Sequence, residues 1–297
     1  MADFIDPLLP ANAAFKRRVF VGLGAGAAAL ASPIAAALAQ GEGFGKPHPP
    51  IVAEDDPAIV VDRPPLVRPG TTIDAYAAWP KTAGPATPGL VLVQAIWGVD
   101  AQLRDTVRRY AKEGFLCIAP ALFARSSPPS GDGATDIAVF RPLAAALVRE
   151  QVKGDLLAGR DWIRAKAPQA KVGISGFCMG GGITIREVIG EADYHAAVPF
   201  YGDVLQGAPR DQPVTADTFA YAKKIATPLL GNYGARDTSI KAEDVRAMFG
   251  LLAAPHDLKV YDEAGHAFFD DTRPSYVASA ASDAWTRTLG WLRRYLS

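Results

Sequence analysis

The run Lys171-Val172-Gly173-Ile174-Ser175-Gly176-Phe177-Cys178-Met179-Gly180-Gly181-Gly182 begins as an apolar strand, passes through glycines and continues as a helix. A nucleophile on such a turn must hold a strained backbone, and glycines two residues to either side keep neighbouring chain from colliding with it. Cys178 occupies that place, at a helix N-terminus, where the dipole and unpaired N–H groups favour thiolate over thiol and can hold an oxyanion. A thiolate also needs a base and a group that orients the base. Two later apolar runs end in suitable residues: Asp237 closes Gly234-Ala235-Arg236-Asp237, and His266 lies in Glu263-Ala264-Gly265-His266-Ala267-Phe268. Asp203 and Asp262 are rivals to Asp237, while His195, His256 and His48 lack a glycine-rich setting after a strand.

These residues need a scaffold that brings distant loops to one edge. Short apolar runs at 90–94, 115–119, 172–175, 196–200, 228–232 and 258–261 read as buried strands. Helix-length segments at 101–112, 142–165, 180–189, 242–252 and 276–296 lie between and after them, the second opening with Pro142 in the favoured first turn. Such alternation predicts an α/β fold, a mostly parallel sheet with helices on both faces. The chain order of nucleophile, acid and histidine is that of α/β-hydrolases. A turn-rich loop at 126–133 is placed to rim a pocket.

The chain resembles the dienelactone hydrolase family, α/β-hydrolases with a Cys-Asp-His triad. Carrying the likeness, besides the segments around Cys178 and His266, are Gln94-Ala95-Ile96-Trp97-Gly98, Ala119-Pro120-Ala121-Leu122-Phe123-Ala124-Arg125 and Tyr201-Gly202. The resemblance spans residues 70–297 and implies that Cys178 attacks a lactone or ester carbonyl, His266 moves the proton and Asp237 fixes the imidazole. It implies an oxyanion hole from the backbone N–H groups of Ile96 and Met179, a thioester acyl-enzyme, and no cofactor. Arg125 matches one of two arginines with which the family holds a substrate carboxylate, and Trp97 and Phe268 would form apolar wall. Two positions depart from the pattern. Ala95 stands where the family has a glutamate that takes the thiol proton, so a resting thiolate–imidazolium pair is expected here. Asp270 stands where the second arginine is expected, with Arg273 nearby as a substitute.

The N-terminal residues follow other rules. Lys16-Arg17-Arg18 precedes an uncharged run at 19–39 that ends in Ala37-Leu38-Ala39, a small-x-small site. Residues 1–39 thus read as a twin-arginine-type signal peptide, 40–69 as a Pro/Gly-rich segment draped on the domain, and 70–297 as the hydrolase domain. The expectation is passage through the twin-arginine export machinery, cleavage before Gln40, and a periplasmic or secreted protein with no stable membrane anchor. A retained anchor is the competing reading, and a buried N-terminal helix is the blandest alternative.

Composition narrows the partners. Lys plus Arg (31) cancels Asp plus Glu (31), so no field gathers nucleic acid, and a small-molecule lactone or ester is the expected partner. Two cysteines, Cys117 and Cys178, and four histidines without His-Glu-x-x-His spacing indicate no metal site. Cys117, inside an apolar run, reads as a core residue that stays unpaired. Other classes fit less well. The glycines also match a dehydrogenase fingerprint, but past mid-chain, and Tyr221-Ala222-Lys223-Lys224 lacks the Tyr-x-x-x-Lys pair. A catalytically inactive ligand-binding member of the fold is the alternative that Ala95 keeps open.

Overall fold

The computed structural model describes residues 32–41, 43–190, 193–208 and 214–297. The charged and early apolar parts of the predicted signal lie outside them. Among the described residues nine strands form one sheet in the order β1-β3-β5-β4-β6-β7-β8-β9, with β2 paired to β3. The parallel part comprises β4 (Gly89–Val93), β5 (Leu116–Pro120), β6 (Val172–Phe177), β7 (Ala197–Phe200), β8 (Leu229–Gly234) and β9 (His256–Tyr261). The first five of these are buried along their whole length, as near-continuous apolar runs require. The expectation of a mostly parallel sheet is met, and the architecture is that of an α/β-hydrolase.

Helices cover both faces. On one lie α1 (Pro33–Gln40), α2 (Ala101–Lys112) and α7 (Ala278–Leu296), burying Leu38, Val107, Tyr110, Trp285 and Leu292. On the other lie α4 (Arg149–Lys166), α5 (Met179–Glu187) and α6 (Ala242–Phe249), burying Leu156, Ile163, Ile185, Val245 and Met248. The single helix expected at 142–165 is broken: α3 (Arg141–Ala145) carries Pro142 in its first turn, and α4 starts anew after Val148.

Three antiparallel strands are additions to the expected set: β1 (Ile59–Asp62), β2 (Pro65–Arg68) and β3 (Thr71–Pro80). The Pro-rich segment is therefore partly sheet. Its prolines sit where they break no ladder, Pro64 between the two short strands and Pro65 at the first position of β2. The same segment is fastened to the domain by charge. Asp105 of α2 accepts the backbone N–H groups of Ile51 and Val52, and it shares buried Arg109 with Asp271.

The last part of the predicted signal also folds onto the domain. Ser32 caps α1, whose Ile34 and Leu38 are buried. The Tyr276 hydroxyl donates to the Leu38 carbonyl at 2.5 Å, the Ser282 hydroxyl to that of Ala35 at 2.8 Å, and the Trp285 indole to Ser32 Oγ at 3.2 Å. Ala37-Leu38-Ala39 thus lies within a docked helix. Among the described residues no helix is long and apolar enough to cross a membrane.

Candidate active site

Chain order reverses at β4, with β5 on one side and β6 on the other, and a crevice opens beyond the carboxyl ends of these strands. Cys178 stands there between β6 and α5, with φ 55° and ψ −115°. That conformation is strained for a residue with a Cβ, and close packing holds it. A Cβ added to Gly176 would lie 2.3 Å from the Gly180 carbonyl oxygen, and one on Gly180 2.3 Å from that of Val93. Only glycine lets β4, the turn and α5 approach so closely. Backbone bonds complete the turn: Cys178 donates its N–H to Phe200 O, and its carbonyl accepts from Gly181 and Gly182.

The imidazole of His266 bridges the other two residues. Its Nδ1 donates to Asp237 Oδ2 at 2.7 Å, and its Nε2 lies 3.1 Å from Cys178 Sγ. Asp237 follows β8 and is buried; its Oδ1 accepts the N–H groups of Ser239 at 2.8 Å and Ile240 at 3.0 Å, which fixes the carboxylate. Burial disfavours charge on His266, but hydrogen bonds and Coulombic attraction from Asp237 and Cys178 outweigh it and push the imidazole up to about 10. Of the rival acids, Asp203 lines the cavity without being the Nδ1 partner, and Asp262 offers its backbone carbonyl to Arg236. The three residues singled out in the sequence thus lie within hydrogen-bonding reach of one another.

A cavity of about 440 Å³ opens on the thiol, lined by Ala95, Ile96, Trp97, Met179, Tyr201 and the residues named below. Ile96 and Met179 lie where the resemblance puts an oxyanion hole, one after β4 and the other opening α5. The wall is mainly apolar, and the Tyr201 ring stands edge-on to His266 with centroids 5.2 Å apart.

Two expected contacts with substrate are corrected. Arg125 is not among the cavity residues; both its terminal nitrogens bond Asp155, at 2.6 and 2.8 Å. Asp155 is fully buried on α4 and requires these donors, together with Arg68, to offset its desolvation. Phe268 is also absent from the lining, being fully buried against Tyr201 and Tyr261 behind the wall. Trp97 does line the cavity.

Arg273, offered by the sequence as a substitute for the second arginine, does line the cavity. Its guanidinium lies 3.9 Å from the centroid of the Trp97 ring and donates to Asp270 Oδ2 at 3.0 Å and to the Ala134 carbonyl at 2.9 Å. Asp100 is the residue that sequence reading missed. It caps α2 by accepting the Leu103 N–H at 3.0 Å and faces the same cavity. Burial, helped by the Asp270 carboxylate and opposed by that N–H, pushes Asp100 up to about 7. Its signal was an Asp before the first residue of a helix, in the loop that follows β4. Both thiols are free, and burial in β5 pushes Cys117 well above the ordinary thiol range. No cluster suited to a metal ion occurs among the described residues.

Comparison with known proteins identifies the family. The profile of the dienelactone hydrolase family matches residues 73–296. A relative from Escherichia coli (strain K12), named "Putative carboxymethylenebutenolidase", is 36% identical over 275 residues, covering 87% of this chain and 97% of its own. The crystal structure titled "Putative Dienelactone Hydrolase" from Klebsiella pneumoniae superposes with a TM-score of 0.71 at 34% identity, over 80% of this chain and 100% of that one. A dienelactone hydrolase-like promiscuous phosphotriesterase from metagenomic libraries shares the fold, with a TM-score of 0.65 at 21% identity over 81% of this chain and 100% of its own. With its fold, its strained cysteine turn and its match over most of the domain, the chain belongs to the dienelactone hydrolase family of ester-bond hydrolases.

Proposed function

We propose that this hydrolase cleaves a lactone or carboxylic ester by nucleophilic catalysis at Cys178. The observation that carries the reading is the His266 imidazole, held between Asp237 Oδ2 and Cys178 Sγ. Ala95 provides no carboxylate to take the thiol proton, and His266, pushed up to about 10, is the group that holds it. The thiolate adds to the substrate carbonyl, and the oxyanion forms beside the N–H groups of Ile96 and Met179. Collapse breaks the ester C–O bond, with the His266 proton passing to the leaving oxygen. The products are a thioester on Cys178 and the free alcohol; a lactone keeps both on one molecule. Water, deprotonated by His266, then attacks the thioester and releases the carboxylic acid. No cofactor takes part.

Hydrolysis of a short-chain aryl ester beside the Cys178→Ala variant tests this. We expect turnover to fall to background in the variant, and mass spectrometry of the wild type quenched during turnover to show one acyl adduct on the peptide carrying Cys178. Full activity in Cys178→Ala would overturn the reading.

Export remains part of the proposal, on Lys16-Arg17-Arg18 and the uncharged run that follows. Intact mass of the protein recovered from the periplasm tests it; a protein confined to the cytoplasm would refute it.

A further inference from the structure

Resting on the reading of Cys178 as nucleophile, we propose that the Trp97, Arg273, Asp270 and Asp100 wall selects uncharged lactones and esters and turns away those that carry a carboxylate.

Among the described residues, the charged side chains facing the cavity, apart from His266, are Asp100, Asp203, Asp270 and Arg273. Asp100 and Asp270 stand beside the Arg273 guanidinium, which is already partly engaged. One face of Arg273 lies on Trp97, its Nε donates to Asp270, its Nη1 donates to Ala134 O, and its Nη2 is 4.0 Å from Asp100 Oδ2. Asp270 is in turn pinned, since its other oxygen accepts both the N–H and the hydroxyl of Thr272, at 3.1 and 2.6 Å. A substrate carboxylate that approached the remaining guanidinium N–H groups would lie against Asp100 and Asp270 and would compete with Asp270 for the same cation.

Solvent does little to relieve that repulsion, because Asp270 and Asp100 are only 9% and 7% exposed. Burial chiefly, with a smaller contribution from the Asp270 carboxylate, pushes Asp100 up, so the same surroundings disfavour a further anion. Arg125, the arginine that the resemblance assigns to a substrate carboxylate, is occupied by Asp155. An uncharged ring meets none of these penalties. Its body packs on the apolar wall, and Asp100, near half-protonated at neutral pH, can donate or accept a hydrogen bond.

The test uses two ligands with the same reacting ring: the dienelactone that carries a carboxylate, and its primary carboxamide. Binding of both to Cys178→Ala by isothermal titration reads the charge preference without turnover, and kcat/KM on the wild type reads it during turnover. We expect the carboxamide to be favoured at least tenfold in each. Asp270→Asn, which releases Arg273, is expected to raise the carboxylate-to-carboxamide ratio about tenfold. Asp100→Asn should move it the same way by less, and Arg273→Gln added to Asp270→Asn should cancel the gain. Equal or tighter binding of the carboxylate by Cys178→Ala, binding of neither ligand, or a ratio unmoved in both folded aspartate variants would overturn the proposal. Discrimination in binding with turnover of neither lactone would instead refute the nucleophile reading and leave the charge preference standing.

Discussion

Burial lowers the His266 imidazole, but Asp237 and Cys178, flanking it on either side, outweigh that and push it up to about 10. We expect nitrogen chemical shifts of this ring to report imidazolium at pH 8 and to titrate near 10. In Asp237→Asn, with one of the two flanking acceptors neutralised, the ring should titrate lower. A neutral ring in the wild type at pH 8 would contradict the ion pair. The sign for stability follows: folding raises this group above its ordinary 6.5, so its contribution is complete below about 6.5 and is lost as pH rises through about 10. At this scale the sequence was most legible where chemistry fixes both residue type and chain order, as at Cys178, Asp237 and His266. It was least legible for Arg125 and Arg273. Both arginines lie near motifs, and which one faces the cavity depends on where a buried carboxylate such as Asp155 sits, on a helix distant in sequence.

Strands β4 to β8 announce themselves because a parallel strand covered on both faces must be apolar throughout. Strands β1 to β3 do not, since they are antiparallel, two of them are short, and the prolines between them mimic an irregular tail. The cysteine turn shows how an element can be specified by what is missing from it. A methyl group on Gly180 would press on backbone oxygens of Val93 and Gln94, which no side-chain rotation can relieve. We expect Gly180→Ala to cost about 1–3 kcal/mol, the usual scale for overpacking, and to lower kcat more than it raises KM by displacing Cys178 from His266. Urea unfolding and steady-state kinetics on the same preparation check both parts, and a variant with wild-type kcat would show that the turn tolerates the shift.

Helix α1 ties the stability of the domain to the cleavage before Gln40 proposed above. A chain that begins at Gln40 loses Ile34 and Leu38 from the buried layer and leaves the Trp285 indole N–H without Ser32. Burial of two such side chains contributes roughly 3–6 kcal/mol before the ordering of the helix is subtracted. The truncated chain should therefore melt several degrees below one that begins at Ser32, by scanning calorimetry; equal melting temperatures would show that α1 adds nothing. The docked helix also constrains the proposed cleavage. Since Leu38 is buried and its carbonyl accepts from Tyr276, a peptidase reaches Ala39 only while α1 is undocked.

Cys117 has an analytical use that its place in the sheet confers. Sealed in β5 and held protonated by burial, it is invisible to alkylating reagents as long as the protein is folded. Every equivalent of reagent consumed by native protein then counts one Cys178, so a single thiol titration gives the molar concentration of competent sites. Activity should fall in a straight line to zero at one equivalent, with the second thiol appearing only in denaturant.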